Sequence, residues 1–248
     1  ESALLALLTG EHCLYLGTPG IAKSLLVDEL HRRIVGARRF KKLLSQSTTP
    51  DELLGPVDLI ELSDKGRWVR RHERSIVEAH IAFLDEVFKC NSLVLNMLLG
   101  IMNEREVDEI GMDTTLKLPL LSLFAASNET PAENGLQAFS DRFLLRHLMR
   151  DVQDDNAFVQ IMTLPPDTAP AAFLTLDQIR QAQQEVLQVK GTPEVMQALL
   201  ALRTALSQEG VVISMRKWRK SGKLLKARAW LDGQPELDVE SLLCLQHA

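Results

Sequence analysis

The sequence lacks any apolar run near the ~20 residues that a membrane-spanning helix needs; its longest, such as residues 3–8, have the length of core elements. Cysteine is scarce: Cys13, Cys90 and Cys244 are odd in number and lack ligand spacing, so neither a disulfide framework nor a zinc site is expected. The six histidines, His12, His31, His72, His80, His147 and His247, are scattered without ligand spacing. There is no excess of positive charge. A net charge of −5 and a pI near 5.7 argue against a dedicated nucleic-acid binder. No initiator methionine and no signal peptide open the chain, which reads as a cytosolic fragment whose upstream residues are missing. Internal repeats and low-complexity tracts are absent.

What is present is an ordinary globular composition, 46% apolar and 25% charged over 248 residues, enough for one large core or two modest ones. Up to about residue 150 strand-like and helix-like segments alternate. Strands are expected at 13–17, 43–47, 81–85, 120–127 and 144–149, and helices at 24–35 and 91–103. That alternation predicts an α/β fold with a parallel sheet and crossover helices. Two stretches break it and read as β-hairpins, 56–71 around Ser63-Asp64-Lys65-Gly66, and 105–118 around Gly111-Met112-Asp113. Beyond Asp151 strand signals fade. Pro165, Pro166 and Pro170 mark a linker, and 176–189, 193–208 and 214–231 have helical periodicity. We therefore expect an α/β nucleotide-binding unit over 1–150 and an all-helical unit over 151–248.

The strongest chemical signal follows the first strand: Gly17-Thr18-Pro19-Gly20-Ile21-Ala22-Lys23-Ser24, with Leu25 continuing into a helix. Small residues let backbone N–H groups turn inward around an anion, and the helix N-terminus adds its dipole. Lys23 is placed to reach the β- and γ-phosphates of ATP, and the Ser24 hydroxyl to ligate Mg²⁺. Ala22 stands where glycine is usual, which alanine allows if its φ is negative.

The apolar strand 81–85 ends in Asp85 and Glu86. A strand buried on both faces delivers its C-terminal end to the ligand crevice, so Asp85 is expected to hold Mg²⁺ and Glu86 to polarise the attacking water. Asn128 ends the strand 120–127 and is read as orienting that water, against the plainer reading of a turn residue. Arg142 and Arg146 are candidates for an arginine donated to a neighbouring subunit's γ-phosphate, against the alternative of surface arginines. The basic segment 214–220, continued by Lys223, Lys226 and Arg228, has three readings: nucleic-acid contact, a solvated helix face, or Arg216 facing the nucleotide.

In this order the motifs resemble the MoxR branch of AAA+ ATPases: Gly17 to Ser24, TPDELLGP at 49–56, FLDE at 83–86, NMLLGIMNER at 96–105, AASNE at 125–129 and DRF at 141–143. The segment 214–220 with Trp218 looks most like the RavA subfamily. The resemblance implies an αβα P-loop sandwich with two inserted hairpins and a C-terminal all-α lid. It implies Asn128 as first sensor, Arg142 (or Arg146) as trans arginine finger, and Arg216 as second sensor in cis. It further implies a hexameric homo-oligomer that hydrolyses ATP with Mg²⁺, remodels proteins and works with a von Willebrand factor A domain protein in the cytoplasm. A DNA-dependent motor or helicase loader is the alternative. A nucleotide-gated assembly module is a third reading, disfavoured by the intact Asp85 and Glu86.

Overall fold

The computed structural model describes residues 1–108, 115–131, 134–163 and 172–248. In chain order the elements are α1 (Ser2–Thr9), β1 (His12–Leu16), α2 (Lys23–Arg32), β2 (Ile34–Val35), β3 (Arg39–Leu43), α3 (Pro50–Leu54) and α4 (Leu59–Lys65). Then come β4 (Ile81–Asp85), α5 (Ser92–Glu104), β5 (Glu106–Asp108), β6 (Thr115–Lys117), β7 (Ser122–Ser127), α6 (Asn134–Ser140) and β8 (Phe143–Leu148). The C-terminal part holds α7 (Asp155–Thr163), β9 (Leu174–Thr175), α8 (Leu176–Gln188), α9 (Pro193–Gln208) and α10 (Met215–Leu231).

Five strands form one parallel sheet in the order β3-β4-β7-β1-β8. Alternate side chains of its strands feed two separate apolar clusters. Cys13, Tyr15, Ile81, Phe83, Phe124 and Ala126 pack on one face with α1, α2, α8 and α10. Leu14, Ala82, Leu84, Leu123 and Ala125 pack on the other with α3 and α5. This two-sided burial is why these strands read as continuous apolar runs, and it makes the αβα sandwich. The C-terminal helices α8, α9 and α10 form the helical lid, and α8 and α10 join α1 over the sheet.

Three expectations need correction. The segment 56–71 is not a β-hairpin; its centre is α4, closed beneath by the antiparallel bridge Val57–Arg70. Capping decides it: the Asp58 carboxylate accepts from the Ile60 and Glu61 amides at 2.9 and 3.3 Å, and Gly66 ends the helix in the left-handed conformation. Arg71 clamps the same carboxylate at 2.8 Å and holds Asp58 down to about 2. The second strand lies at β3, not at 43–47. It is an edge strand whose outward Arg39 and Lys41 pair with Asp28 while Phe40 points inward, so its basic residues hid it. The first long helix stops at Arg32, because Ile34 and Val35 pair with Leu174 and Thr175 as β2 and β9. The hairpin at 105–118 is present as β5 and β6. Its turn at Gly111-Met112-Asp113 lies outside the described residues, as do Pro165, Pro166 and Pro170.

Beneath the N-terminal edge of the sheet, His12 is fully buried. Its Nδ1 accepts from the Leu123 amide at 3.0 Å, and its Nε2 lies 3.0 Å from the Met102 carbonyl and 2.7 Å from the Arg105 guanidinium. Burial, and then the neighbouring Arg105, hold His12 well below its ordinary range. Burial also lowers His80 and brings His147 down to about 4, with His247 adding to the second effect. Each of these groups binds a proton more readily in the unfolded chain. Their contribution to stability is therefore complete above about pH 6.5 and is lost progressively as pH falls towards 4. The urea midpoint at pH 5 is expected to lie clearly below that at pH 7; equal midpoints would contradict the neutral, buried state of these rings.

Candidate nucleotide site

From β1 the chain crosses to β3 on one side of the sheet, while β8 lies on the other. The C-terminal end of β1 is thus the topological switch point, where open parallel sheets place ligands. Register brings the ends of four strands to the same edge: Leu16 lies beside Ser127, Leu84 beside Ala125, and Asp85 beside Leu43. The phosphate loop, Asp85, Glu86 and Asn128 all leave the sheet at this edge. The edge is drawn tight by the Gly17 amide donating to the Ser127 carbonyl at 3.1 Å, and by the Met149 amide donating to the Leu16 carbonyl at 2.7 Å. Gly17 is required there, since a Cβ would stand 2.5 Å from the Met149 carbonyl oxygen.

The loop fits a polyphosphate. Among the described residues the amides of Thr18, Gly20 and Ala22 donate no hydrogen bond within the chain, and Thr18, Pro19, Gly20, Ala22 and Leu25 are exposed. Lys23 and Ser24, half-buried, open α2, whose N-terminus adds further unpaired donors. The Lys23 ammonium donates to the Gly17 carbonyl and, at 3.1 Å, to the Thr18 carbonyl, so it already lies across the loop. Ala22 departs from expectation: its φ is +61° and ψ 23°, left-handed where a negative φ was anticipated. For alanine that conformation costs about 1–2 kcal/mol. The strain sits directly before the lysine, at the residue that turns the loop into α2.

At the acidic pair, Asp85 is half-buried and one of its oxygens accepts from the Glu86 amide at 3.0 Å. Glu86 is also left-handed, with φ +52°, a second strained non-glycine residue at the same edge. Its Oε2 is buried without a hydrogen-bond partner. The Lys89 ammonium stands 3.4 Å from that oxygen, an ionic contact outside hydrogen-bond geometry. Lys89 also lies 3.8 Å from Glu129, which follows Asn128. Lys89 did not stand out in the sequence, and Glu129 did so only as the end of the AASNE motif; the spacing of Glu86 and Lys89, three apart across a 3-10 turn, was the available signal. Asn128 is exposed, as a residue facing a ligand would be.

A Mg²⁺ ion typically takes one or two protein oxygens and completes its shell with water and phosphate. Asp85 and Ser24 suit that role. Among the described residues no group of three or more His, Cys, Asp or Glu could hold a metal alone.

The arginines separate at the opposite edge. Arg146 is committed to its own chain, donating to the Ser140 carbonyl at 2.9 Å and to Asp141 at 2.8 Å. Arg142 makes no ion pair among the described residues, and each of the two arginines keeps a buried Nε without a partner. The structure does not bring Arg216 to the phosphate loop. It lies in the first turn of α10, where Lys220 pairs at 2.5 Å with Glu11, the residue preceding β1. The next residue, Lys217, is lowered by burial and by Arg146, so this helix starts beside the Arg142–Arg146 corner. The phosphate loop lies past the far end of β1.

A family model for the MoxR domain of MoxR–vWA–β-propeller ternary systems matches residues 1–192, and one for an AAA lid domain matches residues 194–248. The chain belongs to the MoxR family of AAA+ ATPases. It is 41% and 40% identical, over 247 residues each, to two uncharacterized proteins of Methanocaldococcus jannaschii, MJ0079 and MJ0812. All of this chain aligns with them, but it spans only 64% and 65% of their lengths. It is 30% identical over 187 residues, 73% of this chain and 48% of the relative, to the chaperone MoxR1 of Mycobacterium tuberculosis. The crystal structure of a candidate ATPase from Cytophaga hutchinsonii superimposes with a TM-score of 0.77, covering 98% of this chain and 77% of that one at 21% identity. That likeness supports the fold. No helix among the described residues is long and apolar enough to cross a membrane.

Proposed function

We propose that this MoxR-family chain binds and hydrolyses ATP with Mg²⁺ and uses the nucleotide cycle to remodel a protein partner from within a hexameric ring of identical subunits. The observation that carries the reading is the convergence of the phosphate loop, Asp85–Glu86 and Asn128 on one sheet edge at the switch point.

In this reading the unpaired amides of Thr18, Gly20 and Ala22, the amides that open α2 and the Lys23 ammonium cradle the phosphates. Ser24 and Asp85 hold Mg²⁺, which when bound neutralises phosphate charge. Glu86 polarises the attacking water, and Asn128 orients it. Arg142, unpaired and at the edge away from its own loop, reaches the neighbouring subunit's nucleotide, with Arg146 the second choice. The position of Arg216 beside that corner favours a contribution to the same neighbour over a cis role. A division near residue 150, with a lid moving against the nucleotide-binding unit, belongs to the proposal.

The family description supports a von Willebrand factor A domain protein as partner. A RavA-like affinity rests only on the segment 214–220 with Trp218. The cytoplasm, where ATP is supplied, is the proposed compartment. Nucleic acid is the weaker partner because the net charge is −5 and three of the seven basic residues of α10 are held within the chain: Lys220 pairs with Glu11, Lys226 donates to the Leu187 carbonyl, and Arg228 pairs with Glu1 and Asp232.

Lys23→Ala is the direct test of the cradle. ATP titrated into the variant by calorimetry should give no measurable binding at concentrations that saturate the native chain. Unchanged affinity would remove the phosphate-loop assignment and the proposed function with it.

A further inference from the structure

We propose that Lys89 is a positioning residue for hydrolysis, holding the Glu86 carboxylate in place and tying it to the tip of β7. The inference rests on the reading of Glu86 given above and adds a residue to it.

The backbone makes the contact. Left-handed Glu86 starts a 3-10 turn over Val87–Lys89, in which the Lys89 amide donates to the Glu86 carbonyl at 2.9 Å. Side chains three apart eclipse in such a turn, so the ammonium is brought back over the carboxylate. There it faces the Glu86 Oε2 at 3.4 Å and the Glu129 Oε1 at 3.8 Å. Glu129 is fixed in turn, its amide donating to the Ser127 Oγ at 3.0 Å. One cation thus spans the end of β4 and the end of β7, the two strand tips that carry Glu86 and Asn128.

Without that cation, the buried Glu86 oxygen keeps no charged contact among the described residues, and the carboxylate is free to swing from the water it must polarise. A misplacement of about 1 Å in a catalytic group is enough to cost about 10²-fold in rate. The pair contributes little to stability, because the Lys89 side chain is 40% exposed and such pairs are weak. Loss of turnover without loss of folding is therefore the signature.

The experiment measures turnover, ATP affinity and melting temperature for Lys89→Met, Lys89→Arg, Glu86→Gln and the double variant Lys89→Met/Glu86→Gln. Lys89→Met is expected to lower kcat about 10- to 100-fold at unchanged affinity and melting temperature. Lys89→Arg should recover most of that loss. In the double variant, Lys89→Met should add nothing to Glu86→Gln, since the lysine acts through that carboxylate. Native kcat in Lys89→Met, a full additional loss in the double variant, or a loss matched by lower melting temperature and affinity in both lysine variants would each overturn the proposal. Native turnover in Glu86→Gln alone would instead refute the reading of Glu86 on which it rests.

Discussion

Glu86→Gln is expected to bind ATP as the native chain does and to hydrolyse it about 10²–10⁴-fold more slowly. The amide preserves the shape of a side chain that is only 20% exposed, but it cannot accept a proton from water. Nothing in the cradle changes, because Glu86 enters the site from β4 while the loop leaves β1. Single-turnover hydrolysis together with nucleotide affinity checks this. The variant should accumulate as an ATP-bound species. Turnover near the native rate would reduce Glu86 to an acid at a strand end.

Arg142→Ala should be comparably damaging without touching nucleotide binding. A donated arginine contributes about 10³–10⁵-fold in the best-measured P-loop cases, and a ring ATPase is expected towards the lower end. Arg146 differs in that its Nη2 is held by Asp141 and the Ser140 carbonyl. Arg146→Ala should therefore act mainly through the local fold and cost less turnover at matched assembly. Steady-state hydrolysis above the assembly concentration measures both. A larger loss for Arg146→Ala would transfer the role to that residue.

Much of the site was legible in the sequence because its parts are local. Residues 81–86 announce a strand buried on both faces and closed by two acids, and the structure places β4 over Ile81–Asp85. Residues 13–35 announce a strand, a small-residue turn and a helix in continuous order. What escaped depended on geometry or on partners far along the chain. The conformation of Ala22 is a backbone angle that composition does not encode. Basic residues disguised β3 because Asp28, eleven and thirteen positions away from its partners, supplies their counter-charge. The run 56–62 followed by a Gly-bearing loop suggested a hairpin, but Asp58 and Gly66 supplied stronger start and stop signals for α4. The placement of Arg216 followed from Lys220 meeting Glu11, 209 residues earlier, a contact that no local pattern reveals.

Mixing Arg142→Ala subunits with Glu86→Gln subunits tests the shared site most directly. Each variant alone is expected to be inactive, yet a mixed assembly contains interfaces where an intact arginine from one subunit meets an intact glutamate in its neighbour. Hydrolysis is expected to return as the two are combined and to peak at intermediate ratios. A mixture that co-assembles and stays as inactive as its components, or a monomer whose hydrolysis is full and independent of concentration, would contradict it.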